Sequence, residues 1–584
     1  MTEQKQSRGT ASIVNYKLRI VKYMKHLLST LALAAFSLTA AAQQHASYNV
    51  IPLPRSIQLQ DTVNCYPLTA DCTISFPETE AMERNATFLA TYLDETCGIA
   101  PTLSPAANDK KAKKGQQASI TLSLFTEKER ANKLKKTIGE GLSADNADAY
   151  SIQVTAKGIT VKANTDEGIF RAIQTLRKSL KPEKSDTVWF PLATIKDQPR
   201  FAYRGAMLDC ARHFFPANYV KQYIDILALH GVNQFHWHIT DDQGWRFEVK
   251  SMPELAQRGQ FRRHTIIGNN VGLYNDMGGL YDDTPETGFY TQEQLRDIVA
   301  YAAERYINII PEIDLPGHMV AALSVYPNLG CTGGPYEVLP YWGVADDVLC
   351  AGNPQTIDFL KRVLGELIQV FPSKYIHIGG DESPRVRWKN CPKCQAKMKE
   401  LGLTKEAQLQ TYINKEMDAF LTANGRQLIG WDETLEGGLS ENAIVMSWRG
   451  YEGGTEAARQ HHRVIMTPTS HCYIDYYQLR NHDAQPHGIG GYLPLSKVYS
   501  MEPLPEGLTP EEQQYIWGAQ CNLWTEYVLS PDHIEYMLLP RLAAMSEVQW
   551  MAPEAKDFKD FEQRLLQLKR TYKAKGYHYC RQYE

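Results

Sequence analysis

The chain has 584 residues, a formal net charge of -4 and 43% hydrophobic residues, the make-up of a folded globular protein long enough for more than one domain. So balanced a charge excludes the broad basic field that nucleic-acid phosphates require. The single basic run, Lys110 to Lys114, is flanked by polar residues and predicts a solvated loop.

At the amino terminus, Lys22 and Lys25 precede the apolar run LLSTLALAAFSL and the small-residue stretch TAAAQQ. This order of charged, apolar and small residues is that of a secretory signal over 1–42, with Met24 the natural start and removal expected after Ala42. The apolar run is shorter than the ~20 residues that span a bilayer, so no membrane anchor is expected. The mature chain is then expected in a periplasm or outside the cell.

Residues 43–197 mix short strand-like runs with helical ones: VIPLPRSIQL, ASITLSLF and AYSIQVTAKGITVKAN, the last two runs turned at Lys157-Gly158, then a helix at about 167–180 with Ile169, Ile173 and Leu176 on one face. This predicts a small α+β domain ending near DQPRFAYRG. From 198 to 552 the rhythm changes, and apolar runs ending in polar or aromatic residues alternate with helices. Candidate strands are 204–209, 232–239, 307–314, 375–381, 427–432, 443–448, 463–468 and 515–524. Between them, Asn353 caps a helix to 371, Thr291 and Gln294 form a capping-box pattern, and a helix near 405–423 stops at Asn424-Gly425. Eight strands alternating with helices predict a (β/α)8 TIM barrel, whose chemistry sits at the C-terminal ends of the strands. Residues 553–584 read as a helical extension packed on the barrel.

The eleven cysteines do not make a disulfide scaffold, and an odd number leaves at least one unpaired. Cys331 and Cys350 bracket a loop and are placed to pair in an oxidising compartment. The CPKC at 391–394 has no second ligand pair at zinc-finger spacing, so it reads as a disulfide or free thiols ahead of a metal site.

The predicted strand ends carry Asp209 with Arg212 and His213, His236 with His238 and Asp241-Asp242, Glu312 with Asp314 and His318, Asp381-Glu382, Trp431-Asp432, Trp448, and Trp524 with Glu526. One such residue would pass for ordinary loop polarity; six or seven strand ends of this kind point to a site. Indoles among carboxylates suit a ligand with apolar faces and many hydroxyls, as a pyranose has. No phosphate-binding glycine loop is present. A histidine-carboxylate metal site through His236 and His238 stays open. Sugar cleavage ordinarily uses two carboxyl groups flanking the ring. Asp381 and Glu382 are neighbours, however, and reach one pocket only if the strand ends between them, a turn for which Gly379-Gly380 supplies the freedom. The nucleophile must then come from elsewhere.

The motifs DCARHFF, HWHITDDQGWR, PEIDLPGH, GGDE, GWDE and NLWTEYV, in order over about 200–550, resemble the β-N-acetylhexosaminidases of glycoside hydrolase family 20. The preceding domain resembles that family's non-catalytic N-terminal domain. The resemblance implies an exo-acting, retaining enzyme that removes terminal GlcNAc or GalNAc from a glycan. The substrate's own acetamido oxygen attacks and an oxazolinium intermediate forms, so no cofactor or metal is expected. It further implies Glu382 as acid/base and Asp381 as the group that orients and polarises the acetamido arm. Arg212 and Glu526 would bind sugar hydroxyls, and Trp431, Trp448 and Trp524 would enclose the acetamido methyl and the apolar sugar face. Tyr473 would donate to the acetamido oxygen with Asp475 beside it, and His318 with Asp241 would form a supporting relay. Release of a disaccharide, binding without catalysis and metal-dependent hydrolysis are the competing readings.

Overall fold

The computed structural model describes residues 44–60, 64–106, 118–127, 129, 142–143, 145–268 and 279–582. The region read as a signal, 1–42, and the basic run Lys110 to Lys114 lie outside the described residues. No helix among the described residues is long and apolar enough to cross a membrane.

The N-terminal domain is built on a seven-stranded sheet in the spatial order Ser56–Leu59, Ala193–Asp197, Tyr150–Thr155, Gly158–Ala163, Ile120–Leu124, Thr73–Pro77 and Thr102–Ala106. The first four strands pair antiparallel and the rest parallel. Period-two alternation drives the central hairpin: Ile152, Val154, Ile159 and Val161 all turn inward and are buried. The helices Glu80–Cys97 and Asp166–Ser179 pack against these strands and each other, each started by a threonine, Thr79 or Thr165, whose hydroxyl accepts a first-turn backbone N–H. Clear period-two and helical runs made half of this domain legible. The helix Glu80–Cys97 and the strands Cys65–Thr69, Thr73–Pro77, Thr187–Pro191 and Ala193–Asp197 carry weaker patterns and emerge only from pairing.

The second domain is a closed barrel of eight parallel strands: β1 (Tyr203–Asp209), β2 (Gln234–His238), β3 (Asn308–Glu312), β4 (Tyr375–His377), β5 (Gln427–Trp431), β6 (Ile444–Ser447), β7 (Val464–Met466) and β8 (Ile516–Leu523). Closure joins β8 to β1 with Gly205 opposite Gln520. An 8-strand parallel barrel was expected, and the helix signals hold as well. Thr291 and Gln294 form the capping box, Asn353 caps Pro354–Val370, and Ala407–Ala423 ends at Asn424 before Gly425 with φ 70°. Several strands are shorter than expected, and the largest departure is at β4. β4 ends at His377 instead of running to Asp381, because the backbone from Gly379 leaves the extended region.

The C-terminal helix Phe558–Lys575 straps the two domains together. Its Tyr572 hydroxyl is 2.6 Å from His230 Nε2 on the barrel, while Arg564 Nη1 donates to Val50 O at 3.1 Å and Lys575 pairs with Glu95, both in the N-terminal domain.

Candidate active site

A cavity of about 240 Å³ opens at the C-terminal ends of the barrel strands, lined by Arg212, Asp381, Glu382, Trp431, Trp448, Tyr473, Asp475, Trp524 and Glu526. All nine residues singled out from the sequence as catalytic or sugar-binding thus meet around one space. A larger hollow of about 860 Å³ lies elsewhere, beside Tyr451, His471 and Glu502, and contains no tryptophan. The smaller cavity sits below the roughly 300–1,000 Å³ of drug-sized ligand pockets, room for a single ring more than for a chain of sugars.

The turn after β4 explains how adjacent carboxylates share this space. Gly379 has φ 62°, Gly380 φ 97° and Glu382 φ 43°. The bend is therefore spread over four residues, not placed between Asp381 and Glu382 as alternation on a strand suggested. A side chain at Gly379 would put its Cβ 1.8 Å from Asp314 Oδ1, so only glycine lets the turn lie against β3. Asp314 Oδ1 accepts the Gly380 N–H at 3.0 Å, and Gln410 Nε2 donates to Gly380 O at 2.6 Å, which pins the turn from both sides. A glutamate held at positive φ is the kind of local strain that collects at working sites.

The electrostatics of the pair follow from its surroundings. The Glu382 side chain is 41% exposed toward the cavity, yet the walls displace enough water to push its pKa up. Burial is the larger cause. The His318 charge opposes it, and the neighbouring Asp381 anion adds to it, so the like-charge argument made from the sequence holds as a secondary contribution. Asp381 is more enclosed, and its Oδ1 is buried without a hydrogen-bond partner. Asp475 Oδ1 is in the same condition. Both residues line the cavity, and a buried acceptor without a hydrogen-bond partner is uncommon enough to mark a working site.

His318 connects this pair to the barrel interior. Its Nδ1 donates to Asp241 Oδ1 at 3.2 Å, and its Nε2 lies 3.8 Å from Asp381 and 3.7 Å from Glu382. Burial alone would favour neutral imidazole, but Asp241 and then Asp242 hold the pKa well above its usual value, so His318 is cationic. Asp241 is also bound by Arg212 Nη2 at 2.9 Å and His238 Nε2 at 2.9 Å. Arg212 is held by four groups at once, with Asp209 at 3.2 Å, Gln243 at 3.0 Å and Glu526 at 3.9 Å beside Asp241, and it lies over the Trp524 ring. That fixes its fork toward the cavity instead of leaving it to swing.

Of the tryptophans in the apolar wall, Trp431 and Trp448 have N–H groups anchored by carboxylates that do not line the cavity. Trp431 Nε1 donates to Glu312 at 3.1 Å and Trp448 Nε1 to Glu433 at 2.9 Å. Trp431 and Trp524 have ring centres 6.0 Å apart, and Tyr473 stacks on Trp448 at 6.1 Å. Bare indole faces anchored by distant polar atoms suit the apolar side of a sugar ring.

Several contributors were not singled out for these tasks from the sequence. Glu312 is the hub of the barrel interior: its carboxylate is 3.0 Å from both His236 and His377 and accepts from His238 and Trp431. His236 and His238 do share the interior face, as period two predicts, and both turn to this carboxylate. Burial works against the Glu312 anion, but the three imidazoles hold its pKa well below normal. Trp342, Gly343 and Val344 reach the cavity from the loop after β3, and Tyr476, Ile489 and Tyr527 complete its rim. Loop residues of this sort have no periodic signal. The CPKC lacked a second ligand pair in the sequence, but Cys331 and Cys350 lie against it in space.

Comparison with known proteins agrees with this geometry. Residues 201–553 match the model for the glycosyl hydrolase family 20 catalytic domain, and residues 47–198 match that for domain 2 of the same family. The chain is 43% identical to a β-hexosaminidase of Porphyromonas gingivalis over 72% of its own length and 52% of the relative's. It is 32% identical to a β-N-acetylhexosaminidase of Cellulomonas fimi, over 76% and 82% of the two chains. The match thus spans about half the length of the first relative. Among solved structures it resembles a family 20 exo-β-N-acetylglucosaminidase of Vibrio harveyi in complex with N-acetylglucosamine, with TM-score 0.76 and 30% identity over 92% of this chain and 79% of that one. The family 20 β-N-acetylhexosaminidase of Streptomyces coelicolor gives TM-score 0.75 and 28% identity over 92% and 99%. With both family domains in order and the strand-end residues gathered in one cavity, the chain belongs to glycosyl hydrolase family 20.

Proposed function

We propose that this chain is an exo-acting β-N-acetylhexosaminidase that removes terminal, non-reducing β-linked GlcNAc or GalNAc from glycans, with retention of configuration and with the substrate's acetamido group as nucleophile. The unpartnered Oδ1 of Asp381, buried in an indole-walled cavity beside a carboxyl of raised pKa, carries this reading. In this reading the Asp381 carboxylate accepts the acetamido N–H. The carbonyl oxygen then attacks the anomeric carbon while Glu382 gives its proton to the departing glycosidic oxygen. Positive charge grows on the amide as the oxazolinium ring closes, beside the Asp381 anion. In the second half Glu382 takes a proton from water, which attacks the anomeric carbon and reopens the ring. Glu382 thus needs a pKa near neutrality, the direction in which its surroundings push it.

The small cavity supports release of one sugar over release of a disaccharide. The signal-like pattern over 22–42 supports export, with work done in a periplasm or outside the cell. The test is a comparison of nitrophenyl β-N-acetylglucosaminide with the glucoside that lacks the N-acyl arm. The first should be cleaved and the second left nearly intact, and Glu382→Gln should lower turnover of the first by roughly 10²–10⁴-fold. Equal rates on the two substrates would end the substrate-assisted reading.

A further inference from the structure

Four cysteines far apart in sequence converge between the loops that follow β3 and β4. The ligand atoms of Cys331, Cys350, Cys391 and Cys394 all lie within 4.8 Å of one another. Cys350 Sγ is 3.6 Å from Cys394 Sγ and 3.7 Å from Cys391 Sγ, and Cys331 Sγ is 3.8 Å from Cys394 Sγ. Thiolates bound at about 2.3 Å around a tetrahedral zinc ion stand about 3.8 Å apart, the length of a tetrahedron's edge. A disulfide would need one pair at about 2.05 Å, and Cys350 stands at a similar distance from two partners instead of close to one.

The backbone around the cluster is shaped to hold an ion. Cys391 and Cys394 are the ends of a CPKC turn at the start of the helix Pro392–Leu401, and Cys350 begins a second turn, Cys350-Ala351-Gly352. The Gly352 N–H faces the sulfurs of Cys350 and Cys394. A Cβ at Gly352 would fall 2.1 Å from the Lys393 carbonyl, so only glycine lets the two turns meet. Cys350, Cys391 and Cys394 are buried and Cys331 is half-buried.

We propose that these four thiolates bind a structural zinc ion. A closed all-cysteine set leaves no open position for chemistry on a substrate, so the ion's work is mechanical. Cys331 and Cys350 are the two feet of the loop that carries Trp342, Gly343 and Val344 to the cavity, and Cys391 lies nine residues after Glu382 on the next loop. The ion clamps these two loops together, alongside the Arg387–Asp347 ion pair at 2.9 Å.

Metal analysis of the full-length protein, purified without added metal, tests this without reference to activity. It should contain one zinc ion per chain, released in step with mercurial titration of the thiols, and cobalt substitution should produce the visible bands of a tetrahedral thiolate site. The Cys391→Ser/Cys394→Ser variant should lose the metal and melt at a lower temperature. A metal-free wild-type protein whose intact mass shows disulfides among these cysteines, or whose thiols titrate without zinc release, overturns the proposal even if the variant fails to fold.

Discussion

Asp241 and His318 form an ion pair at 3.2 Å inside the barrel, and the far nitrogen of that imidazole faces Glu382 at 3.7 Å. A buried anion thereby keeps a cation next to the proposed proton donor. The cation lowers the Glu382 pKa against the upward push of burial, which leaves the acid adjustable from behind the cavity.

Replacing His318 with glutamine removes that cation, so the Glu382 pKa should rise. Glu382 must be protonated for leaving-group departure, and the alkaline limb of kcat/KM should therefore move to higher pH. Turnover at the optimum should fall by roughly a hundredfold through loss of positioning. A pH-rate profile of the folded variant checks both; a lower rate with an unmoved limb would reduce His318 to packing.

Asp381→Asn keeps the shape of the side chain but loses the anion beside the developing amide charge. It should reduce kcat by roughly 10²–10³-fold. Because the lost interaction is strongest with the cyclised intermediate, affinity for a thiazoline mimic should fall with kcat while the KM for substrate changes much less. Titration calorimetry with the mimic measures the first quantity.

Glu433, which accepts the Trp448 indole N–H, has its pKa pushed up to about 8 by burial and then by the Asp381 charge. Its folded pKa lies above its unfolded value, so the folded state binds this proton more tightly. Stability should be fully present below about pH 4.5 and decline as the pH rises through about 8. Glu433→Gln retains an acceptor for Trp448 but cannot ionise. The variant should lose less stability than wild type across that window, read as urea midpoints at a series of pH values.

Glu312→Ala leaves three histidines and the Trp431 indole without their common acceptor in the barrel interior. Breaking a buried charge network from one side typically costs about 3–5 kcal/mol. Chemical denaturation should show a loss of that order, and the freed Trp431 should weaken sugar binding as well.

The barrel could be read from the sequence because each strand is a short apolar run that stops where polar and aromatic residues begin, and eight such runs alternate with capped helices. The ends of those runs also pointed to Asp381, Glu382, Arg212 and the tryptophans, since chemistry in a parallel barrel gathers where strands end. Local physics sufficed there, as strand periodicity and capping act over a few residues.

What the sequence left open depends on contacts between distant segments. The bend that lets Asp381 and Glu382 share a cavity rests on Gly379 lying against Asp314, 65 residues earlier. The hub at Glu312 joins residues of β2, β3, β4 and β5, and the four cysteines meet across a separation of up to 63 residues. The composition of a segment reports its own preference for strand, helix or turn. Which buried charge answers which, and which sulfurs come together, is decided only when the closed barrel brings those segments to the same few ångströms.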